Sequence, residues 1–274
     1  MIRTGLVPPT PTFPSFVIWF MMNRSNLSHM MISGWNLRYN EILKEFKYSK
    51  RKDMDSAILL ESLIKNKNQI QKINQLINNQ NVFVIGSGPS LSYAIPKLKS
   101  MKKVIKIVAD SALKPLAENG IKPDIVVTDL DGDQKVLKKL GKTKTVFVVH
   151  AHGDNISKLD FVKNFKNWIG TTQTKPFGKI QNFGGFTDGD RAVFLANYFN
   201  AKKIVLFGMD FGKRIGKFSN TKPSERKIKL KKLRKGKSLL EWLSTKTKSE
   251  LFTTSQPISG LKKIPYSNLD IIIT

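Results

Sequence analysis

The chain has 274 residues, no cysteine and a net charge of +27, from 47 Lys and Arg against 20 Asp and Glu. The missing cysteines exclude disulfides, thiolate metal sites and thiol nucleophiles, and agree with a reducing, cytoplasmic setting. The charge points to polyanionic partners (nucleotide phosphates, nucleic acid or an anionic surface), and 40% hydrophobic residues suffice for one large core.

Residues 1–29 differ from the rest. Val7-Pro-Pro-Thr-Pro-Thr-Phe-Pro14 cannot be helical, because its prolines remove donors and fix φ. The apolar run 15–22 is shorter than the roughly 20 residues of a bilayer span, and no small-residue cleavage site marks a signal peptide. We expect a loosely ordered extension, with the folded protein beginning near Met30 or Met31, and no membrane-spanning helix elsewhere.

Residues 30–80 read as a small helical region. Trp35, Tyr39, Ile42, Leu43 and Phe46 recur at three- and four-residue steps, as one buried helix face does. A second helix is expected from a cap at Asp53 or Asp55 through about Asn79, with Ala57, Leu60, Ile64, Ile73, Leu76 and Ile77 as its stripe. From 81 onward short β-branched runs at 82–85, 104–108, 125–127, 146–149, 168–170 and 204–207 alternate with helical stretches. The pattern predicts an α/β fold: a mostly parallel, Rossmann-like sheet with helices on both faces, whose ligands bind beyond the carboxyl ends of the strands. Residues 81–274 are therefore read as the catalytic domain, ending in a basic helix and tail. The segment 222–237 carries nine Lys or Arg and one Glu, and an amphipathic helix is expected to run through about Leu243. The last thirty residues read as irregular or weakly stranded.

Polar clusters follow the apolar runs. Gly86-Ser-Gly-Pro-Ser-Leu91 follows the first and precedes a helix, with Ser90 as N-cap. Gly86, Ser87 and Gly88 let backbone approach phosphate at a helix N-terminus, although the third glycine of a dinucleotide fingerprint and the Gly-Lys-Ser/Thr ending of a P-loop are missing. Asp110 follows the second run, where it either caps a helix or joins a metal cluster. Thr128-Asp-Leu-Asp-Gly-Asp133 follows the third. Alternation along an extended segment would bring Asp129, Asp131 and Asp133 to one side. Concentrated carboxylates in a basic protein suit a hard cation such as Mg²⁺. His150-Ala-His-Gly-Asp-Asn155 follows the fourth: His150, His152, Asp154 and Asn155 could hold a transition metal, contact phosphate or base, which is preferred, or form a turn. Gly184-Gly-Phe-Thr-Asp-Gly-Asp-Arg191 opens another helix, with Thr187 or Asp188 as cap and Arg191 as a phosphate contact. Gly208-Met-Asp-Phe-Gly212 ends the last strong strand.

In this order, these blocks, with Trp35 and Tyr39, resemble the archaeal MptE-type 6-hydroxymethyl-7,8-dihydropterin diphosphokinases, over roughly residues 31–274. They are also similar to thiamin pyrophosphokinases at Ala109–Ala112, at 128–132 and, less closely, at Phe186-Thr187-Asp188, where Gly184 and Gly185 replace an acidic pair. The resemblance implies transfer of diphosphate from ATP to a reduced hydroxymethylpterin, releasing AMP and feeding folate or methanopterin synthesis. It implies Asp129 and Asp131 as metal ligands, Asp110 in support, and Asp133 or Asp188 less directly. A homodimer is compatible with it. Two other classes stay open: a nucleotide-sugar glycosyltransferase, separated by donor choice, and a basic α/β RNA-binding protein, separated by RNA binding that survives loss of Asp129 and Asp131. The basic segment is read as a solvated face, a lid over polyphosphate or an RNA-binding arm.

Overall fold

The structure is a computed structural model that describes residues 31–65, 69–219 and 221–273. The proposed extension, 1–29, lies outside the described residues. Residues 31–274 form one compact unit. None of the described helices is long and apolar enough to cross a membrane.

Helix α1 (Trp35–Phe46) buries Trp35, Tyr39, Ile42 and Phe46, the predicted stripe. The expected single second helix is instead two, α2 (Lys50–Ser62) and α3 (Ile70–Ile77). The cap of α2 is Ser49, whose hydroxyl accepts from Lys52 N, and neither Asp53 nor Asp55. Ser49 wins because Asp53 is drawn inward to other donors, described below.

The rest alternates strand and helix: β1 (Asn81–Ile85), α4 (Leu91–Ser100), β2 (Ile105–Ala109), α5 (Leu113–Glu118), β3 (Ile125–Thr128), α6 (Gln134–Gly141), β4 (Val146–Ala151), β5 (Trp168–Thr172), α7 (Asp188–Tyr198), β6 (Lys203–Phe207), α8 (Arg226–Ser244), β7 (Glu250–Thr253), β8 (Lys262–Lys263) and α9 (Leu269–Ile273). All the strands pair in parallel in one sheet of order β5-β4-β3-β2-β1-β6-β7-β8. The six predicted strands are present. The last two are short strands in the tail read as irregular or weakly stranded, and β8 is a two-residue edge of lysines, which resists pairing with another chain.

Alternate strand residues face opposite layers. Val82, Val84, Ile107, Val127 and Val148 pack with α1, α3, α7 and α8, whereas Phe83, Ile85, Val108, Val126 and Phe147 pack with the other helices. Both faces are covered, so the strands read as continuous apolar runs. Helix α7 lies directly on the sheet, with residues 190–196 all buried. Trp35 fastens α1 to the domain: Nε1 donates to Gln173 O at 3.0 Å, and the ring meets Phe194 edge-on at 6.0 Å.

The chain runs outward from β1 to β5, then returns to place β6 against the other side of β1. This reversal opens a crevice at the carboxyl ends of β1 and β6, the switch point where sheets of this type bind ligands.

Candidate active site

Two glycine turns shape the crevice. Gly86 N donates to Phe207 O at 2.8 Å, and Gly88 N to Gly208 O at 2.7 Å. A Cβ on Gly88 would lie 2.4 Å from Asp210 Oδ2 and 2.6 Å from Gly208 O, so only glycine lets the turns cross. Asp210 Oδ2 accepts from Ser90 N at 2.9 Å and from Ser90 Oγ at 2.7 Å. Ser90 stands at the N-cap of α4 as expected, but it makes no side-chain cap bond of its own; Asp210 supplies the oxygen that accepts from it. The signal was available in its place at the end of the last strong strand. The resulting cleft encloses about 590 Å³, part of it open to solvent, and is lined by Gly86, Ser87, Gly88, Thr187, Asp188 and Lys229 among others.

Beside it three carboxylates meet. Asp110 follows β2, Asp129 follows β3 and Asp188 is the first residue of α7. One oxygen from each lies within 4.8 Å of the others, a grouping found nowhere else among the described residues. Asp110 is held by Thr128 Oγ1, which donates at 2.7 Å, and by Gly132 N at 3.1 Å. Asp188 is positioned by the turn before α7, where Gly184 and Gly185 take φ of 92° and 89°. A Cβ on Gly185 would strike Arg191 Cα at 2.6 Å. Thr187 is the N-cap, and Asp190 completes the capping box by accepting from Thr187 N at 2.8 Å and from its hydroxyl. Arg191 Nη1 then reaches Asp188 Oδ1 at 3.3 Å.

The other expected ligands diverge. Leu130 adopts φ 70° and is buried, while its N–H bonds Thr128 Oγ1 at 2.8 Å. The left-handed residue breaks the alternation that would have aligned the carboxylates. Asp131 points out, 57% exposed, and pairs with Lys158. Asp133 caps α6, accepting from Lys135 N at 3.0 Å and Val136 N at 3.1 Å. The geometry thus brings Asp110 and Asp129 together with Asp188, and leaves Asp131 and Asp133 outside.

Burial raises Asp110 to about 7, with the charge of Asp129 adding to it. Burial and the charges of Asp129 and Asp110 likewise push Asp188 well up. Burial also acts to raise Asp129, but the His152 hydrogen bond and the charges of His152, Arg191 and Lys232 outweigh it and hold that group down at about 2. The three carboxylates therefore oppose one another's ionisation, and Asp129 is the one whose neighbours favour the charged form.

The His150–Asn155 loop divides its labour. His152 Nε2 lies 3.5 Å from Asp129 Oδ2. Asn155 is structural: its amide donates to Asp129 O at 2.9 Å and His150 O at 2.7 Å, and its Oδ1 accepts from His152 N. Asp154 is 66% exposed, and His150 is buried away from the cleft. Asp53, expected to cap a helix, is instead a buried anchor of this loop. It accepts from Tyr39 Oη at 2.7 Å, Gln173 Nε2 at 2.7 Å and Gly153 N at 2.8 Å. No local sequence signal distinguishes that role from capping.

Helix α8 borders the site. Lys231 and Lys235 are partly neutralised by Glu45 and Glu41 of α1, and Lys232 sits over the Tyr48 ring at 5.6 Å. Lys229 and Lys232 lend positive potential to Asp188 and Asp129 respectively.

A protein from Pyrococcus furiosus called 6-hydroxymethyl-7,8-dihydropterin pyrophosphokinase is 45% identical over 230 residues, covering 81% of this chain and 97% of that protein. Its counterpart of the same name from Methanocaldococcus jannaschii is 40% identical over 238 residues, covering 81% and 99%. A third, from Methanothermobacter thermautotrophicus, is 36% identical over 222 residues, covering 78% and 95%. Among solved structures, the MAf glycosyltransferase from Magnetospirillum magneticum AMB-1 superposes with TM-score 0.48 and 14% identity, over 77% of this chain and 39% of that one. A family model described as "6-hydroxymethylpterin diphosphokinase MptE-like" matches residues 59–216, which span the glycine turn, the three carboxylates and Arg191. With these relatives matched along nearly their whole length, the chain belongs to the MptE-like 6-hydroxymethylpterin diphosphokinase family.

Proposed function

We propose that this protein transfers diphosphate from ATP to the hydroxymethyl group of 6-hydroxymethyl-7,8-dihydropterin in a Mg²⁺-dependent reaction, releasing AMP and supplying folate or methanopterin biosynthesis. The relatives' shared name supports the reaction class. The observation that carries the reading is the convergence of Asp110, Asp129 and Asp188 beside a glycine-lined cleft at the switch point. Three clustered carboxylates, one buried and two partly buried, repel one another, and a hard divalent cation with oxygen ligands relieves that repulsion. Those three residues would hold it. Bound there, Mg²⁺ supplies charge neutralisation at phosphate oxygens.

The remaining contributions come from the chain itself. The Gly86–Gly88 turn allows backbone to approach a polyphosphate closely. Thr187 and Lys229 line the same cleft and offer a hydroxyl and a positive charge. Arg191, fixed by Asp188, stabilises charge on the transferred group or on the leaving AMP. His152 holds Asp129 ionised and oriented. The substrate hydroxyl oxygen attacks the β-phosphorus, the bond to the α-phosphate oxygen breaks, and the hydroxyl proton passes to a cluster carboxylate or to water. No covalent enzyme intermediate is required, so positioning and electrostatics dominate.

The test is incubation with ATP, Mg²⁺ and the reduced hydroxymethylpterin, with AMP and pterin diphosphate measured directly. Stoichiometric appearance of both is expected. Release of ADP, or no Mg²⁺-dependent product, would sink the assignment.

A further inference from the structure

Four buried side-chain polar atoms lack a partner among the described residues, and two of them, His150 Nε2 and Arg191 Nε, belong to residues lining one small cavity. His150 and Arg191 are only 2% and 8% exposed. Leaving such atoms unpaired is costly, so each calls for a partner, an ordered water or a ligand group. The cavity holds about 250 Å³ counting its open mouth, with Val148, Phe183 and Leu195 as apolar walls. It is too small for a nucleotide.

The hydrogen bonds assign the chemistry of each orphan. Thr171 Oγ1 donates its one proton to Val149 O at 3.0 Å. It must therefore accept from His150 Nδ1, 3.2 Å away, which places the imidazole proton on Nδ1. Burial, with the charges of Arg191 and His152, keeps the ring neutral. His150 Nε2 is then a bare acceptor, while Arg191 Nε–H is a donor. Arg191 also spans the two regions: Nη1 meets Asp188 of the carboxylate cluster, and the side chain lines the cavity.

We propose that this cavity is the acceptor subsite and reads the lactam edge of the pterin ring, with His150 Nε2 accepting from N3–H and Arg191 Nε–H donating to the C4 carbonyl. This rests on the pterin reading above and adds to it which residues select the ring. The hydroxymethyl group sits at the opposite end of the pterin from that edge, so anchoring the edge here leaves the reacting oxygen free to face the carboxylates. One guanidinium then links ring recognition to the catalytic cluster.

The test compares 6-hydroxymethylpterin with its 2,4-diamino analogue, in which N3 is a bare acceptor and C4 carries a donor amine. Binding of each to the whole wild-type protein is followed by ligand fluorescence. The inverted pattern is expected to weaken binding roughly 10- to 100-fold, because both protein groups would face like partners. His150→Leu is expected to raise the KM for the reduced hydroxymethylpterin about tenfold or more, to erase the discrimination, and to leave the KM for ATP within about twofold. Thr171→Val, which keeps the ring but frees its tautomer, serves if His150→Leu does not fold, and is expected to narrow the discrimination. Equal binding of the two ligands by wild-type protein that turns over the pterin would overturn the subsite while leaving the diphosphokinase reading intact. A wild-type protein that neither binds nor turns over the pterin overturns both.

Discussion

Asp110→Asn separates what the carboxylate cluster costs the fold from what it contributes to function. Asparagine can keep the acceptor to Thr128 Oγ1 and Gly132 N, so the local hydrogen bonds survive. It removes a charge whose group sits at about 7 instead of 3.8. The folded state holds that proton more tightly than the unfolded chain, so stability falls as pH rises from about 4 to about 7, and the full penalty applies above 7. At about 1.36 kcal/mol per pH unit the upper bound is about 4 kcal/mol, lessened by coupling to Asp129 and Asp188. Without metal at pH 8, the variant should therefore melt above the wild type, by up to roughly 10 °C for a domain of this size. At pH 4 the two should melt together. Mg²⁺ should raise the wild-type melting temperature more than the variant's, and the variant should lose at least about a hundredfold in turnover, as loss of a group that organises charge at phosphate does. The measurement is thermal unfolding with chelator or with Mg²⁺ across pH 4 to 8, paired with AMP release. A variant that melts below the wild type at pH 8 with chelator, or that turns over normally, would refute the reasoning.

Three further outcomes follow from the geometry. Asp129→Asn should remove most turnover, whereas Asp131→Asn, at an exposed carboxylate paired with Lys158, should keep it within about fivefold; AMP release separates the two, and equal losses would return Asp131 to the metal site. Gly88→Ala should lower stability by about 1–3 kcal/mol, because its Cβ meets Gly208 O at 2.6 Å, and a melting temperature equal to wild type would show that the turns can part. Lys229→Gln with Lys232→Gln should raise the KM for ATP about fivefold at fixed ionic strength, consistent with about 1 kcal/mol of lost attraction, and an unchanged KM would remove α8 from the phosphate site.

The β-branched runs from residue 82 onward were enough to place six strands and a doubly covered parallel sheet, because strands buried on both faces admit little but apolar residues. The glycine turn after the first strand and the acidic residues after the second and third were equally legible, since ligand-bearing residues cluster at strand ends in such folds. Trp35, Tyr39, Ile42 and Phe46 marked a buried helix face for the same periodic reason. The tertiary structure decided which carboxylates meet. Asp188 lies 59 residues beyond Asp129 and joins it only because α7 returns across the sheet. Asp131 leaves the group because one residue, Leu130, turns left-handed to bury its side chain, which no spacing rule anticipates. Asp53 reads as a helix cap until Tyr39, Gln173 and Gly153 converge on it from distant parts of the chain. Local pattern specifies burial and backbone propensity, and so determined the layers. The site depends on distances between segments far apart in sequence, which exist only once those layers have packed.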